Sequence, residues 1–212
     1  MNKIKENVLK CCETPMRPDA FDLDDKQKIE LISGHFREIM NILGLDLEDD
    51  SLRGTPKRIA KMYVKEIFSG LNPDNKPIIS LFENKFKYDK MIIEKDITIH
   101  SNCEHHFVPF FGKAHVGYFS KGNVIGLSKI NRLVHYFCKR PQLQERLTLQ
   151  IARELMSVAD TDDVAVLICA QHMCVASRGI QDVNTNTITA EYFGRFNEAD
   201  VKNEFLKYIK DI

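Results

Sequence analysis

The chain has 212 residues, 43% of them hydrophobic, enough to bury a real core in one large domain or two small ones. Basic and acidic residues number 30 each, so the formal net charge is zero. That excludes a general nucleic-acid binder, which needs a basic excess to displace counterions. The longest apolar run, residues 164–170, is far short of the roughly 20 residues a bilayer span needs, and MNKIKENVLKCCETP has no signal-peptide core. The expectation is a cytoplasmic protein with no membrane partner. Six cysteines (Cys11, Cys12, Cys103, Cys138, Cys169 and Cys174) are sparse for a disulfide scaffold, and in a reducing compartment they stay thiols or bind metal.

Residues 1–24 are polar and aperiodic and read as a mobile or loosely docked arm. From Asp25 the period becomes helical, with Ile29, Ile32, Phe36, Ile39, Met40 and Leu43 on one stripe and Gly44 as a stop. A second helix opens at Thr55-Pro56, a cap followed by proline, and turns Ile59, Met62, Tyr63, Ile67 and Phe68 inward. Lys57, Arg58 and Lys61 lie on or beside its polar face.

After a loop at 72–77, Ile97 and Ile99 alternate with Thr98 and His100, and Ala114, Val116 and Tyr118 with Lys113, His115 and Gly117; both stretches read as strands. Ser120-Lys121-Gly122-Asn123 reads as a hairpin turn into the next strand at Val124. Ser128 is read as the cap of a helix to about Lys139, and Pro141 or Gln142 as the start of another to about Val158. Residues 164–170 form a buried strand and 187–196 another, and Val201, Phe205 and Ile209 mark a short amphipathic helix. The layout is α+β: an N-terminal helical hairpin (25–72), then a 73–212 domain with an antiparallel sheet backed by two long helices.

Within SNCEHHFVPFFG, a thiol, a carboxylate and two imidazoles occupy four consecutive positions, 103–106. Cys103-x-x-His106 lets one turn chelate a metal, and Cys174, just past the strand at 164–170, is the candidate third ligand. A buried structural cysteine is the alternative for Cys174. No fourth protein ligand stands at sensible spacing, so a bound metal would keep an open position, which points to chemistry. His105 and His106, on an extended segment, should face opposite ways, leaving His105 and His172 as spare imidazoles suited to proton transfer or to structural hydrogen bonds.

GLSKINRLV puts Ser128, Lys129 and Arg132 at a helix start, where free N–H groups and the positive dipole end favour an anion. Arg178-Gly179 adds a guanidinium with close backbone approach, and Lys61 is a further candidate. Individually these are ordinary surface charges; together they read as a polyphosphate clamp. Glu145, in the first turn of its helix, either steadies the dipole or accepts two bonds from an N–H/NH₂ edge such as guanine presents.

With these residues in view, the chain closely resembles the GTP cyclohydrolase I family. The likeness runs from about residue 25 to the C-terminus and rests on SNCEHHFVPF, GLSKINRLV, RPQLQERLT and QHMCVASRGI in that order, with DDSLRGTPKRIAKMYVKEIFSGL before them. At Ala190-Glu191-Tyr192 the chain is bulkier than the family's small, hydroxyl-rich residues. The resemblance implies zinc on Cys103, His106 and Cys174, and His105 and His172 as catalytic imidazoles. It implies guanine held by Glu145 with help from Gln144, and Ser128, Lys129, Arg132, Arg178 and Lys61 facing the ribose and triphosphate of GTP. It implies formate release and 7,8-dihydroneopterin triphosphate as product, on the route to tetrahydrofolate and pterins. It further implies a T-fold assembled as a homodecamer of two stacked pentameric rings.

Overall fold

The computed structural model describes residues 13–210. Cys11, Cys12 and the first half of the expected arm lie outside those residues. The chain divides into two compact units, Pro15–Asn75 and a larger one from Lys76 onward.

In the helical unit, Asp24 caps α1 (Asp25–Ile42). Its side chain accepts the Gln27 N–H at 2.8 Å, and the Gln27 side chain accepts the Asp24 N–H at 2.9 Å. Such a reciprocal box satisfies two orphan donors, and an N-cap is worth about 1 kcal/mol. Gly44, at φ 79°, takes the left-handed turn that ends the run. The second helix, α2 (Thr55–Met62), is capped by Gly54 rather than by Thr55, with Pro56 in its first turn. It loosens into a π turn at Tyr63–Ile67 and a 3₁₀ turn at Ser69–Leu71. Tyr63 packs its ring 5.4 Å from Phe36 and 5.2 Å from Phe68. The predicted inward stripe is only partly covered: Met40 is buried, but Ile39 is 48% and Leu43 70% exposed. A helix of 8 residues cannot cover the apolar side of one of 18.

The larger unit is built on a five-stranded sheet. Its strands are β2 (Ile92–Cys103), β3 (Pro109–Tyr118), β5 (Pro141–Gln142), β6 (Val164–His172) and β7 (Thr187–Tyr192), in the order β5-β2-β3-β6-β7. The β2–β3, β3–β6 and β6–β7 pairs are antiparallel, but β5 lies parallel to β2, with Asn102 opposite Pro141 and Cys103 opposite Gln142. The sheet is therefore mixed, not antiparallel throughout. A second departure concerns β4 (Asn123–Ile125). It pairs not with β3 but with β1 (Leu81–Glu83), in a separate two-stranded sheet.

Two helices back one face of the large sheet: α3 (Leu127–Cys138) and α4 (Gln144–Ala159). Ile130, Leu133, Val134, Leu147, Ile151 and Leu155 pack there against Ile97, Ile99, Ala114, Val116, Val166 and Ile168. On the other face, Ala165 and Leu167 pack with Phe119, Phe196, Phe205 and Ile209, around the short helix α6 (Ala199–Tyr208). Burial on both faces is why residues 164–170 are apolar without alternation. Gly112 leaves no room for a side chain beside β6, since a Cβ there would lie 2.1 Å from the Cys169 carbonyl oxygen.

His115 sits in this second face, 1% exposed. Its Nδ1 accepts the Asp96 N–H at 3.2 Å, where β2 bulges and Asp96 turns to φ 61°, while its Nε2 has no partner. Burial pushes its pKa below the ordinary 6.5, and the Asp96 carboxylate only partly offsets this. The native state thus holds the ring neutral, whereas the unfolded chain takes up a proton near pH 6.5. Stability from this site is complete above the unfolded value and is lost as pH falls through it, at no more than about 1.4 kcal/mol per pH unit for one proton. Urea midpoints are expected to fall between about pH 7.5 and about pH 5.5, and His115→Leu should flatten that fall. An unchanged pH dependence in His115→Leu would refute the assignment.

Candidate active site

The C-terminal end of β2 runs into a tight turn before β3. The Cys103 carbonyl accepts the Phe107 N–H at 2.8 Å, and the Cys103 N–H reaches back to the Val108 carbonyl at 2.9 Å. Phe107 closes the turn at φ 53°, its carbonyl bonded by the Asn102 side-chain amide at 3.3 Å. The segment is therefore a turn, not the extended stretch expected for His105 and His106. Both imidazoles swing toward the thiol: Nδ1 of His105 lies 3.9 Å and Nδ1 of His106 4.0 Å from Cys103 Sγ.

Beyond β6 the chain makes one helical turn, α5 (Met173–Ala176), which carries Cys174. Cys103, His106 and Cys174 bring one donor atom each within 4.8 Å of one another, the one such group among the described residues. Proximity to Cys174 thus separates His106 from His105. Burial raises the Cys174 pKa, and the adjacent Cys103 thiol pushes it the same way, while Arg178 pulls it back. Two thiols with an imidazole beside them are a soft donor set that a divalent cation would suit. Cys138, fully buried with its pKa pushed up to about 12, is an inert core thiol.

His172, the last residue of β6, stacks on Phe110 with ring centroids 4.5 Å apart and planes at 15°. Its Nε2 lies 2.8 Å from Gln144 Oε1. Gln144 is 2% exposed and donates from Nε2 to the carbonyls of Ile168 and Thr187 and to Thr189 Oγ1. Those acceptors fix the amide orientation, so Oε1 must accept and His172 Nε2 must donate. Nδ1 is then the ring nitrogen of His172 that is not committed to Gln144. Burial lowers the His172 pKa, and the carboxylate of Glu145 works against that.

The first turn of α4 distributes three neighbouring residues. Gln144 points into the core at His172, Glu145 is exposed, and Arg146 donates from Nη2 to Glu104 Oε2 across to the 103–106 turn. On α3, Gly126 is the N-cap, so Ser128 lies inside the first turn instead of capping it. The side chains of Ser128, Lys129, Arg132 and Arg178 make no hydrogen bond or ion pair among the described residues, and only Arg178 acts electrostatically on the Cys174 site. Lys61 is exposed in the last turn of α2, within the helical unit. Phe110, Arg146, Thr187 and Thr189 carry supporting contacts that the motifs did not single out. The one sequence signal for Arg146 was its place in RPQLQERLT, one residue after Glu145.

A mixed-sheet α+β unit that gathers two cysteines and a histidine beside a stacked, hydrogen-bonded imidazole has the make-up of a metal-assisted hydrolase. The chain belongs to the GTP cyclohydrolase I family, whose model matches residues 32–210. It is 54% identical over 198 residues to the GTP cyclohydrolase 1 of Flavobacterium johnsoniae, covering 93% of this chain and 89% of that one. With the GTP cyclohydrolase 1 proteins of Citrobacter koseri and Escherichia coli it shares 52% identity over 204 residues, 96% of this chain and 92% of each of theirs. No helix among the described residues is long and apolar enough to cross a membrane.

Proposed function

We propose that the chain opens the guanine imidazole ring of GTP by hydrolysis, releases formate, and lets the remainder rearrange to 7,8-dihydroneopterin triphosphate. The observation that carries this reading is the convergence of Cys103, His106 and Cys174 within 4.8 Å, on a chain of this family. Those three residues would hold zinc, which when bound supplies Lewis acidity that makes water nucleophilic near neutral pH. In its imidazolium form His172 gives the Nδ1 proton to N7 of guanine as water adds at C8, and is left as the neutral ring whose Nε2–H stays bonded to Gln144. His105, off the three-donor group but 3.9 Å from Cys103 Sγ, relays protons in the second hydration and the ribose steps. Gln144 takes the place of an aiming residue for His172, because its amide is spent inside the protein.

Glu145 accepts the N–H edge of guanine, and Arg178, Arg132, Lys129 and Ser128 face the ribose and triphosphate. The T-fold is the architecture proposed for the 73–212 region, following the helical 25–72 region. Stacked pentameric rings are the proposed assembly. Among the described residues, the outer edge of β7 and most of the outer edge of β2 lack strand partners, and unpaired edges favour pairing between copies.

Incubating the purified protein with GTP and measuring formate together with oxidised neopterin fluorescence tests the reaction. Recognition divides between the ends of the substrate. Glu145→Gln leaves a guanine N–H facing a donor and should weaken GTP, GMP and guanosine alike, by about 1–3 kcal/mol. Arg178→Ala and Arg132→Ala should weaken GTP far more than guanosine, since charge-assisted bonds to phosphate are the stronger ones. Equal loss for all three ligands in Arg178→Ala would displace the phosphate site.

A further inference from the structure

The carboxylate in the 103–106 cluster has no role in the reaction above. We infer that Glu104 and Arg146 form a strut that positions the metal-binding turn, with Arg146 acting through Glu104 and not on substrate. The Arg146 side chain is 9% exposed and that of Glu104 25%, so this is not a solvated surface pair. Nη2 of Arg146 donates to Glu104 Oε2, while Nη1 is buried without a partner, which leaves Glu104 as the counter-charge of a desolvated guanidinium.

The strut meets the turn between its two candidate ligands. Glu104 lies between Cys103 and His106, and its N–H is tied to the Gln142 carbonyl of β5 at 3.0 Å. Backbone and side chain of one residue thus anchor the turn to β5 and to α4. Gln144, two residues before Arg146, aims His172 from the same helical turn. A single rigid element therefore orients both halves of the site. Carboxylates and guanidiniums behind metal ligands set ligand orientation, and their loss typically lowers metal affinity by about 10–100-fold.

This rests on the metal reading of Cys103, His106 and Cys174, and the test separates the two. Zinc affinity is measured by competition with a chromophoric chelator, and the visible band of the cobalt(II)-substituted protein is recorded, for the parent, Arg146→Met, Arg146→Lys, Glu104→Gln and Glu104→Gln/Arg146→Met. Arg146→Met and Glu104→Gln should each weaken zinc by about 10–100-fold and shift the cobalt band. They should lower kcat for GTP with little change in KM, since the strut acts through the 103–106 turn. The double variant should be no worse than the worse single one, because both remove the same strut. Arg146→Lys should recover part of the affinity. If Arg146→Met does not fold, the near-isosteric Glu104→Gln decides alone. Parental zinc affinity and an unshifted cobalt band in the variants, or additive losses in the double variant, would overturn the strut. A parent that binds no zinc would overturn the metal reading and the strut with it.

Discussion

Cys174→Ala is expected to purify without stoichiometric zinc and to release formate from GTP more than about 100-fold slower than the parent, since even outer-shell partners cost 10–100-fold and a direct ligand should cost more. The argument is one of donor count. Three protein donors with one open position are the minimum for a catalytic zinc site, and two of the three here are cysteines. Removing Cys174 leaves Cys103 and His106, both from one short turn, and no other three-donor group of that size is formed among the described residues. The variant should fold, because Cys174 is only partly buried and alanine suits its helical turn. Metal analysis of Cys174→Ala showing zinc at the parental ratio would sink the ligand assignment.

His172→Ala is expected to block the first ring opening, with a loss on the order of 10²–10⁴-fold in kcat, the usual worth of a positioned acid–base group. Zinc content should be unchanged, which separates this variant from Cys174→Ala. His105→Ala should be milder and should let a formamide intermediate accumulate, because N7 protonation precedes the steps His105 serves. Gln144→Leu should reproduce part of the His172 defect, as it removes the acceptor at 2.8 Å that fixes the imidazole tautomer. Parental turnover in both histidine variants, followed by mass spectrometry of the reaction mixture, would show the assignment to be wrong.

The strands and helices most legible in the sequence are those whose burial is simple. Residues 164–170 announce a strand because both faces are covered, and α3 carries six buried residues at helical spacing. What escaped is decided by tertiary contact. A two-residue strand such as β5 has no period to detect, and its parallel pairing with Cys103 depends on how α3 ends. Reading Pro141 or Gln142 as a helix start misplaced the first turn of α4, which begins at Gln144 after Leu143. The inward aim of Gln144 at His172 and the reach of Arg146 to Glu104 depend on where α4 packs, which no local period encodes. Of the three donors, only the Cys103-x-x-His106 spacing is local in sequence; Cys174 was one candidate beside a structural reading, and the full set came from the family resemblance.

The position of the three donors has a consequence for the chain as a polymer. β2 and β6 flank β3 and run in the same direction, so Cys103 and Cys174 mark the same end of two strands that do not touch each other. An ion gripping both would close a long loop of backbone. The unfolded chain rarely brings such donors together, so the ion would bind the folded state alone. Metal affinity at this spot is then folding free energy. If the three donors hold zinc as proposed, heat tolerance should rise with zinc supply, and removing the metal should loosen the sheet first at the end that carries Cys103 and Cys174.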